Sequence, residues 1–266
     1  MGWGYLGIIL AVCAVLCAVG FWKFVYFLSI GYGFAIAGGG VTVLILAAVN
    51  GWTDGVLWLA VLQAVLFVAY GARLSGFLLV REIKNAAYRK TLKEATGDDK
   101  KMPVFVLAAI WVCVAVLYTA QVSPMLYRYM NGAKDTILPV VGMLISVAGL
   151  VLESVADHQK SAQKKENPDM VATKGLYRIV RCPNYLGEII FWTGVLISGI
   201  SAYQGIGQWL MAVIAYICIV FIMFNGAQRL EKRQMGRYGD HQEYIRYADH
   251  TPIILPLIPL YHLNKR

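Results

Sequence analysis

Long apolar runs recur along the whole chain and are separated by short polar segments. Each run approaches the roughly 20 residues that an α-helix needs to cross the hydrocarbon core of a bilayer. Seven spans are predicted, with approximate bounds Trp3–Trp22, Val25–Val49, Val56–Val80, Val104–Val122, Thr136–Val155, Tyr185–Ile200 and Ile206–Phe224. The pattern therefore predicts an all-α integral membrane protein with seven transmembrane helices.

Basic residues are concentrated in alternate connections between these spans. They cluster after the third, fifth and seventh spans, and Lys23 follows the first, whereas the connection after the fourth carries only Arg128 and Lys134. Because cytoplasmic loops of membrane proteins carry an excess of Lys and Arg, we expect the N-terminus outside and the C-terminus in the cytoplasm.

Composition supports this class and excludes others. The chain is 59% hydrophobic and 15% charged, which is too apolar for an ordinary soluble domain. The net charge of +9 comes mostly from membrane-flanking loops and accompanies no nucleic-acid-binding module, so no nucleic-acid partner is expected. The cysteines and histidines lack metal-ligand spacing, and no metal site is predicted.

The chain is predicted to form a single membrane domain, residues 1–266. It comprises an N-terminal three-helix part, residues 1–103 with a cytoplasmic extension, and a C-terminal four-helix part, residues 104–266. The polar insertion Arg81–Met102 predicts a helical extension of the third span followed by a turn. The proline-rich segment Pro252–Pro259 cannot form a regular helix, and we expect it to pack back on the cytoplasmic face.

Three consecutive glycines, Gly38–Gly40, lie within the second span. A phosphate-binding loop would need a preceding strand, and the sequence around these glycines is apolar throughout. Close packing between helices is therefore the favoured interpretation.

The stretch Gly175–Trp192 runs from a basic loop directly into an apolar helix. Pro183 is predicted to mark the helix entry, and Asn184, Glu188 and Trp192 follow at spacings of four, on one helix face. A carboxylate this close to a membrane span indicates a functional site. Asn184 is compatible with two roles, a helix cap or a ligand to a carboxamide such as that of nicotinamide.

A second polar set descends from the fifth span. At spacings of three and four, a single helix face carries Glu153, Asp157, Lys160, Ser161 and Lys164. Such a stripe is often a solvated surface. The alternative is a pocket for a nucleotide such as NADPH, with its phosphates held by Lys164, Arg178 and Arg181.

Two further places carry ionisable groups at membrane depth or at its edge. Tyr70 and Arg73 share one face of the third span, and Arg73 has the alternative role of an ion pair with Glu153 or Glu188. Arg229 and Glu231 fall where the seventh span leaves the membrane.

The motif Gly175-Leu-Tyr-Arg-x-x-Arg-Cys-Pro-Asn-Tyr-Leu-Gly-Glu-Ile-x-x-Trp resembles the C-terminal signature of the steroid 5-alpha-reductase-like membrane family. Sterol C14-reductases and, more loosely, isoprenylcysteine carboxyl methyltransferases share parts of it. The resemblance is strong over Gly142–Pro259 and faint over Val68–Lys93. It implies a seven-helix fold that admits NADPH from the cytoplasm, and a large bacterial branch favours the bacterial inner membrane.

The resemblance also implies roles for single residues. Tyr70 matches the tyrosine that hydrogen-bonds the substrate carbonyl, and Glu153 stands where the steroid enzymes carry an asparagine. The positions that match the family's cofactor site are Arg73, Asp157, Lys164, Asn184, Glu188 and Trp192. Two departures from the family pattern are visible. Cys182 replaces the usual histidine, and the chain has no Gln-Glu-x-x-Pro element, whose glutamate in steroid-reducing members helps to hold the substrate carbonyl.

The main hypothesis is an NADPH-dependent reductase of a carbonyl-conjugated carbon–carbon double bond in a lipophilic substrate, such as a 3-oxo-4-ene steroid. Tyr70 and Glu188 are the predicted catalytic residues. The predicted cofactor-binding residues are Arg73, Glu153, Asp157, Lys164, Arg178, Arg181, Asn184, Glu188, Trp192, Arg229 and Glu231. The expected partners are the small substrate and membrane lipids, and the oligomeric state is open.

Two other classes of function stay open. One is an S-adenosylmethionine-dependent methyltransferase acting on a lipid or prenyl group, which the tail pattern Glu231, Tyr238, Tyr244 and Tyr247 favours. The other is a non-catalytic lipid-binding protein of the same fold.

Overall fold

A computed structural model describes residues 2–84 and 102–264. Within these ranges the chain forms helices and connecting loops and contains no β-strand. The α-helices are α1 Gly2–Cys17, α2 Ile30–Val49, α3 Leu57–Lys84, α4 Val104–Met130, α5 Ile137–Glu166, α6 Pro183–Gly199, α7 Gly205–Tyr238 and α8 Gln242–His250. Short 3-10 helices occur at Ala18–Phe21, Phe24–Leu28, Gly175–Arg178 and Ile200–Ala202.

Seven of the helical segments in the described ranges are long and apolar enough to cross a membrane. They run over Gly4–Phe21, Phe24–Val49, Leu57–Lys84, Val104–Met130, Ile137–Glu166, Pro183–Ala202 and Gly205–Tyr238. Large apolar side chains such as Ile45 and Phe221 are exposed on their outer surfaces, as lipid-facing residues are. The predicted number of spans is confirmed, and the orientation of the termini stays a prediction.

Several helices extend beyond the predicted apolar spans. The third reaches Lys84, which confirms the start of its predicted polar extension; the turn predicted after it lies outside the described residues. The fifth reaches Glu166 and the seventh reaches Tyr238, so both carry polar residues on their final turns. The extensions of the fifth and seventh helices carry ionisable side chains of the candidate site, such as Lys164 and Glu231.

The chain divides into two compact units. The first comprises Met1–Met143 and Val195–Ala215, and the second comprises Leu144–Gly194 and Tyr216–Arg266. Helices α5, α6 and α7 each contribute residues to both units. This division does not test the prediction that residues 1–266 form a single membrane domain, which stays a prediction.

Glycines determine the helix contacts of the first unit. A Cβ atom on Gly71 of α3 would lie 2.2 Å from the carbonyl oxygen of Gly33 in α2, so neither position has room for a larger residue. On α2, a Cβ on Gly39 would lie 3.0 Å from Val122, and one on Gly40 would lie 2.7 Å from Phe67. The packing interpretation of the three glycines is therefore confirmed.

The C-terminal half of α4 is enclosed in the first unit, where every residue from Tyr118 to Tyr129 is buried. At its end the Arg128 guanidinium donates to Asp135 Oδ1 at 2.8 Å and to the Ser198 carbonyl at 3.1 Å. Burial raises the pKa of Asp135, but the hydrogen bonds from Arg128 and Ser201 outweigh it and hold this pKa below its ordinary value. Arg128 thus ties the end of α4 to the loop that follows it.

The segment after α8 folds into the core of the second unit. Ile253 and Ile254 are buried against Cys182, Ile189 and Ala227. This segment forms turns and no regular helix, as its prolines predict. Its packing back onto the protein is confirmed within this unit, and the placement of this surface on the cytoplasmic face stays a prediction.

Candidate functional site

The entry to α6 is held by the C-terminal segment. The amide of Arg181 donates to the Pro252 carbonyl and the amide of Cys182 to the Ile253 carbonyl, both at 2.8 Å. The helix begins at Pro183, as predicted, because proline lacks the N–H that the first turn would leave unused.

Cys182 occupies the cap position of α6. Its carbonyl accepts hydrogen bonds from the amides of Tyr185 and Leu186, both at 3.1 Å. These are the first backbone hydrogen bonds of the helix. Asn184 therefore lies inside the first turn, and the cap interpretation of Asn184 is wrong. Its role as a ligand stays a prediction.

Glu188 and Trp192 form a buried pair on α6. The indole Nε1 donates to Glu188 Oε1 at 2.9 Å, and the two residues are only 5% and 3% exposed. Residues four apart lie one above the other on a helix, so the predicted shared face is confirmed for these two. The contact fixes the carboxylate at membrane depth, where the indole N–H offsets part of its desolvation.

Glu153 of α5 lies at a close crossing with α6. A Cβ on Gly187 would lie 2.5 Å from Glu153 Cγ and 2.8 Å from the Gly149 carbonyl oxygen, so only glycine permits this approach. Ser146 Oγ donates to the Phe191 carbonyl at 2.8 Å in the same contact. The crossing brings the side chain of Glu153, 2% exposed, against the turn that carries Glu188.

The other members of the polar stripe on α5 differ in their contacts and burial. Lys164 Nζ donates to the Tyr238 hydroxyl at 2.7 Å and to the Pro168 carbonyl at 3.0 Å. Asp157 and Lys160 are half-buried on the same helix. Lys164 is therefore held against the end of α7, and the stripe is only in part a solvated surface.

Two glutamines of α5 organise the loop before α6, which the sequence did not indicate. Gln163 Oε1 accepts from the amides of Thr173 and Lys174 at 2.9 and 2.8 Å, and Gln159 Oε1 accepts from the Leu176 amide at 2.9 Å. The spacing of the two glutamines, four residues apart, places them on one face and was the available signal. These loop amides are already satisfied and do not form an anion-binding nest.

Arg181 and Glu231 form an ion pair at 2.8 Å, and their side chains are only 2% and 3% exposed. Arg181 also donates to the Tyr261 carbonyl. Its Nε is buried and has no hydrogen-bond partner among the described residues. Arg178, the other arginine predicted to bind phosphate, and Arg229, predicted to bind the cofactor, are exposed.

Glu231 is the centre of a polar cluster that anchors the C-terminal segment. Its second oxygen accepts from the amides of Leu263 and Asn264 at 2.9 and 3.0 Å and from Asn264 Nδ2 at 2.8 Å. His262 lies between two carboxylates, with Nδ1 at 3.0 Å from Glu231 and Nε2 at 3.0 Å from Asp249. Sequence reasoning missed this cluster because its members come from three separate segments.

Cys182 is buried at 2% exposure beside this cluster. Burial raises the pKa of its thiol to about 12, although Lys160 and Arg181 act in the opposite direction. Thiols react as thiolates, so this geometry supports an inert cysteine.

Tyr70 and Arg73 belong to the first unit. Tyr70 is fully buried, and its ring meets that of Tyr32 edge to face at 5.7 Å. Each of these tyrosines directly precedes a glycine of the Gly33–Gly71 contact, so the helix crossing sets the ring geometry. Arg73 is half-buried.

The described residues define a class: a helical protein with seven helices that are long and apolar enough to span a membrane, and with buried charged side chains such as Arg128, Glu153 and Glu188. The chain belongs to the family described as "Protein of unknown function (DUF1295)", which matches residues 33–251 and is known as steroid 5-alpha-reductase-like. The described residues contain no cluster of three or more His, Cys, Asp or Glu suited to a metal ion.

One relative extends this similarity. The chain is 34% identical over 73 residues to "Steroid 5-alpha-reductase DET2" of Arabidopsis thaliana. The matched region covers 27% of this chain and 28% of the length of that protein. No solved structure matches the chain significantly.

Proposed function

We propose that this protein is a membrane oxidoreductase that reduces a carbon–carbon double bond conjugated to a carbonyl, in a lipophilic substrate such as a 3-oxo-4-ene steroid, with NADPH as reductant. The observation that carries the proposal is the buried Glu188–Trp192 pair, which lies within the motif of a steroid 5-alpha-reductase-like family. The partial similarity to a plant protein named as a steroid 5-alpha-reductase agrees with it.

The residues of the second unit have the donors and acceptors that NADPH requires. A carboxamide offers an N–H group, for which Glu188 is an acceptor and Asn184 can serve as either partner. Phosphates need cationic donors, which exposed Arg178 and Arg229 supply. NADPH would supply a hydride, and this chain would supply binding, orientation and electrostatics.

Arg181 and Glu231 have a different primary role in this proposal. Their side chains bind each other and the C-terminal segment, so we assign them to holding the site in shape. Glu153 and Lys164 are held against α6 and Tyr238, and with Asp157 they would line the cofactor side.

Tyr70 is proposed to bind the substrate carbonyl. Its hydroxyl would donate a hydrogen bond to the carbonyl oxygen and stabilise the negative charge that develops there when the adjacent double bond is reduced. Arg73, one turn further along α3, would keep this region positive. The burial of Tyr70 supports the role, because a hydrogen bond to developing charge is stronger where water is excluded.

The proposed setting is the bacterial inner membrane, with the N-terminus outside and the C-terminus in the cytoplasm. The distribution of Lys and Arg between alternate loops supports this orientation. The substrate and membrane lipids would be the partners.

The decisive experiment separates cofactor classes. Purified protein in mild detergent is titrated with NADPH and, separately, with S-adenosylmethionine, and thermal stability is recorded at each concentration. Saturable stabilisation by NADPH, with NADPH oxidation when an enone lipid is added, is expected. Stabilisation by S-adenosylmethionine alone would favour a methyltransferase, and no response to either would favour a non-catalytic lipid-binding protein.

A further inference from the structure

Gln121 is a polar side chain enclosed in the middle of α4. It is 2% exposed, and the residues around it on α4, from Tyr118 to Tyr129, are all buried. Polar side chains at membrane depth are costly and mark functional positions or contacts between helices. The hydrogen bonds of the Gln121 amide therefore indicate whether this residue joins helices or binds a ligand.

The contacts of Gln121 leave part of its amide unused. Nε2 lies 3.5 Å from the Tyr32 hydroxyl, a long contact, and Oε1 has no hydrogen-bond partner among the described residues. Rotation of the side-chain amide by a half turn about the Cγ–Cδ bond exchanges Oε1 and Nε2. The Tyr32 hydroxyl can then donate to the oxygen, and the amide N–H group faces the unpartnered position.

The residue that Gln121 contacts, Tyr32, belongs to a group of aromatic rings. Tyr32 stacks on Tyr118 at 4.8 Å and meets Tyr70 edge to face at 5.7 Å. Tyr32 thus connects Gln121 to the tyrosine proposed to bind the substrate carbonyl. Aromatic rings beside an amide atom that has an unused hydrogen-bonding capacity suit a lipid with a single polar atom.

Gln63 provides the contrast. It is a second buried glutamine of the same unit, 4% exposed on α3, and its Oε1 accepts from the Tyr129 hydroxyl at 2.7 Å. That bond gives Gln63 a structural role of the kind that joins helices. Gln121 lacks an equivalent short contact to the oxygen of its amide.

We propose that Gln121 is a substrate-binding residue whose amide N–H donates a hydrogen bond to the ketone oxygen of the lipophilic substrate, beside Tyr32 and Tyr70. The assignment rests on the proposed function for the choice of a ketone. It extends that function by adding a second helix, α4, to the polar end of the substrate site. The chain lacks a Gln-Glu-x-x-Pro element, and this contact would contribute to binding of the carbonyl.

Equilibrium binding of two probes tests the proposal without requiring turnover. The probes are cholest-4-en-3-one, whose single polar atom is the ketone oxygen, and cholest-4-ene, which lacks it. We expect wild-type protein in detergent to prefer the ketone. Gln121→Met keeps the length of the side chain and removes the amide, and it should reduce this preference by roughly threefold to tenfold, the contribution of one buried neutral hydrogen bond. The contact proposed for Tyr70 would account for the preference that remains.

Thermal stability without ligand gives a second readout that a purely structural glutamine would not produce. Gln121→Met removes an unsatisfied buried group, so the melting temperature should stay the same or rise. Gln63→Met, the matched control, leaves the Tyr129 hydroxyl without its acceptor and should lower the melting temperature while keeping the preference for the ketone.

Two results would overturn the proposal: equal affinity of the wild-type protein for both probes, or an undiminished preference in Gln121→Met. Failure of the proposed reductase activity is recognised separately. It would appear as ketone-selective binding that depends on Gln121, without any NADPH oxidation.

Discussion

Arg181 and Glu231 form a buried ion pair at 2.8 Å although 50 residues separate them in the chain. Glu231 also accepts hydrogen bonds from two backbone amides of the C-terminal segment. Arg181 lies two residues before Pro183, the first residue of α6. The pair therefore joins α7, the entry to α6 and the end of the chain. Loss of this contact should affect the whole second unit.

Breaking the pair should be costly. Arg181→Met leaves the buried Glu231 carboxylate without the guanidinium that neutralises it, and we expect the variant to lower the free energy of unfolding by about 3–5 kcal/mol. The double variant Arg181→Met/Glu231→Leu should recover part of this loss, because no isolated charge remains. Thermal unfolding in detergent measures the effect, and protease cleavage near Leu263 reports release of the tail. Unchanged stability of the single variant, together with lost NADPH binding, would instead assign the pair to the cofactor.

Tyr70→Phe removes one hydroxyl from a fully buried ring. If that hydroxyl stabilises charge on the substrate oxygen, turnover should fall by roughly 100-fold to 1000-fold, while NADPH affinity stays close to that of the wild type. Steady-state rates and NADPH titration measure the two quantities. Tyr129→Phe is the matched control, since its hydroxyl binds Gln63; it should lower stability by about 1 kcal/mol and retain turnover. Equal losses of turnover and of NADPH binding in Tyr70→Phe would contradict the assigned role.

Glu188→Gln keeps an oxygen that can accept from the Trp192 indole but removes the charge. Stability should therefore change little, whereas NADPH affinity should fall by about tenfold or more, as expected when a charged hydrogen bond is lost. Isothermal titration measures the affinity. Thr193→Val is a control on the same helix, because its hydroxyl lies 2.8 Å from that of Tyr216, away from the Glu188 face. Unaltered NADPH affinity in Glu188→Gln would remove this residue from the cofactor site.

The thiol of Cys182 should resist modification in the folded protein. Burial raises its pKa to about 12 from an ordinary value of 9.0, so the thiolate is scarce at neutral pH. A variant that keeps Cys182 as its single cysteine should react with a water-soluble maleimide only as it unfolds. Rapid labelling of the folded variant would contradict this expectation.

The same shift predicts an alkaline dependence of stability. The folded state holds the proton more tightly than the unfolded state, so the contribution of Cys182 is fully present below pH 9.0 and is lost as the pH rises toward about 12. Replacing Cys182 by alanine should flatten the loss of stability in that range. Melting temperatures recorded across the range, with and without the substitution, measure the difference.

The local pattern of the sequence determined much of the architecture. Seven apolar runs predicted seven membrane-length helices, because a helix satisfies its backbone hydrogen bonds within its own segment. The start of α6 at Pro183 and the shared face of Glu188 and Trp192 followed from the same local rules. The close packing of Gly38–Gly40 followed from their apolar surroundings.

The tertiary structure decided which distant groups meet. Nothing in the spacing of residues indicated that Glu231 binds Arg181 and the backbone of Asn264. The spacing of Gln159 and Gln163 places them on one helix face but does not indicate the loop that they hold. Local rules also left Asn184 open to the cap position of α6, which Cys182 occupies. Such contacts depend on how helices cross, which is set by the few positions where glycine allows close approach, as Gly187 does beside Glu153. Periodicity along one helix describes which face is polar, but only the crossing determines what that face touches.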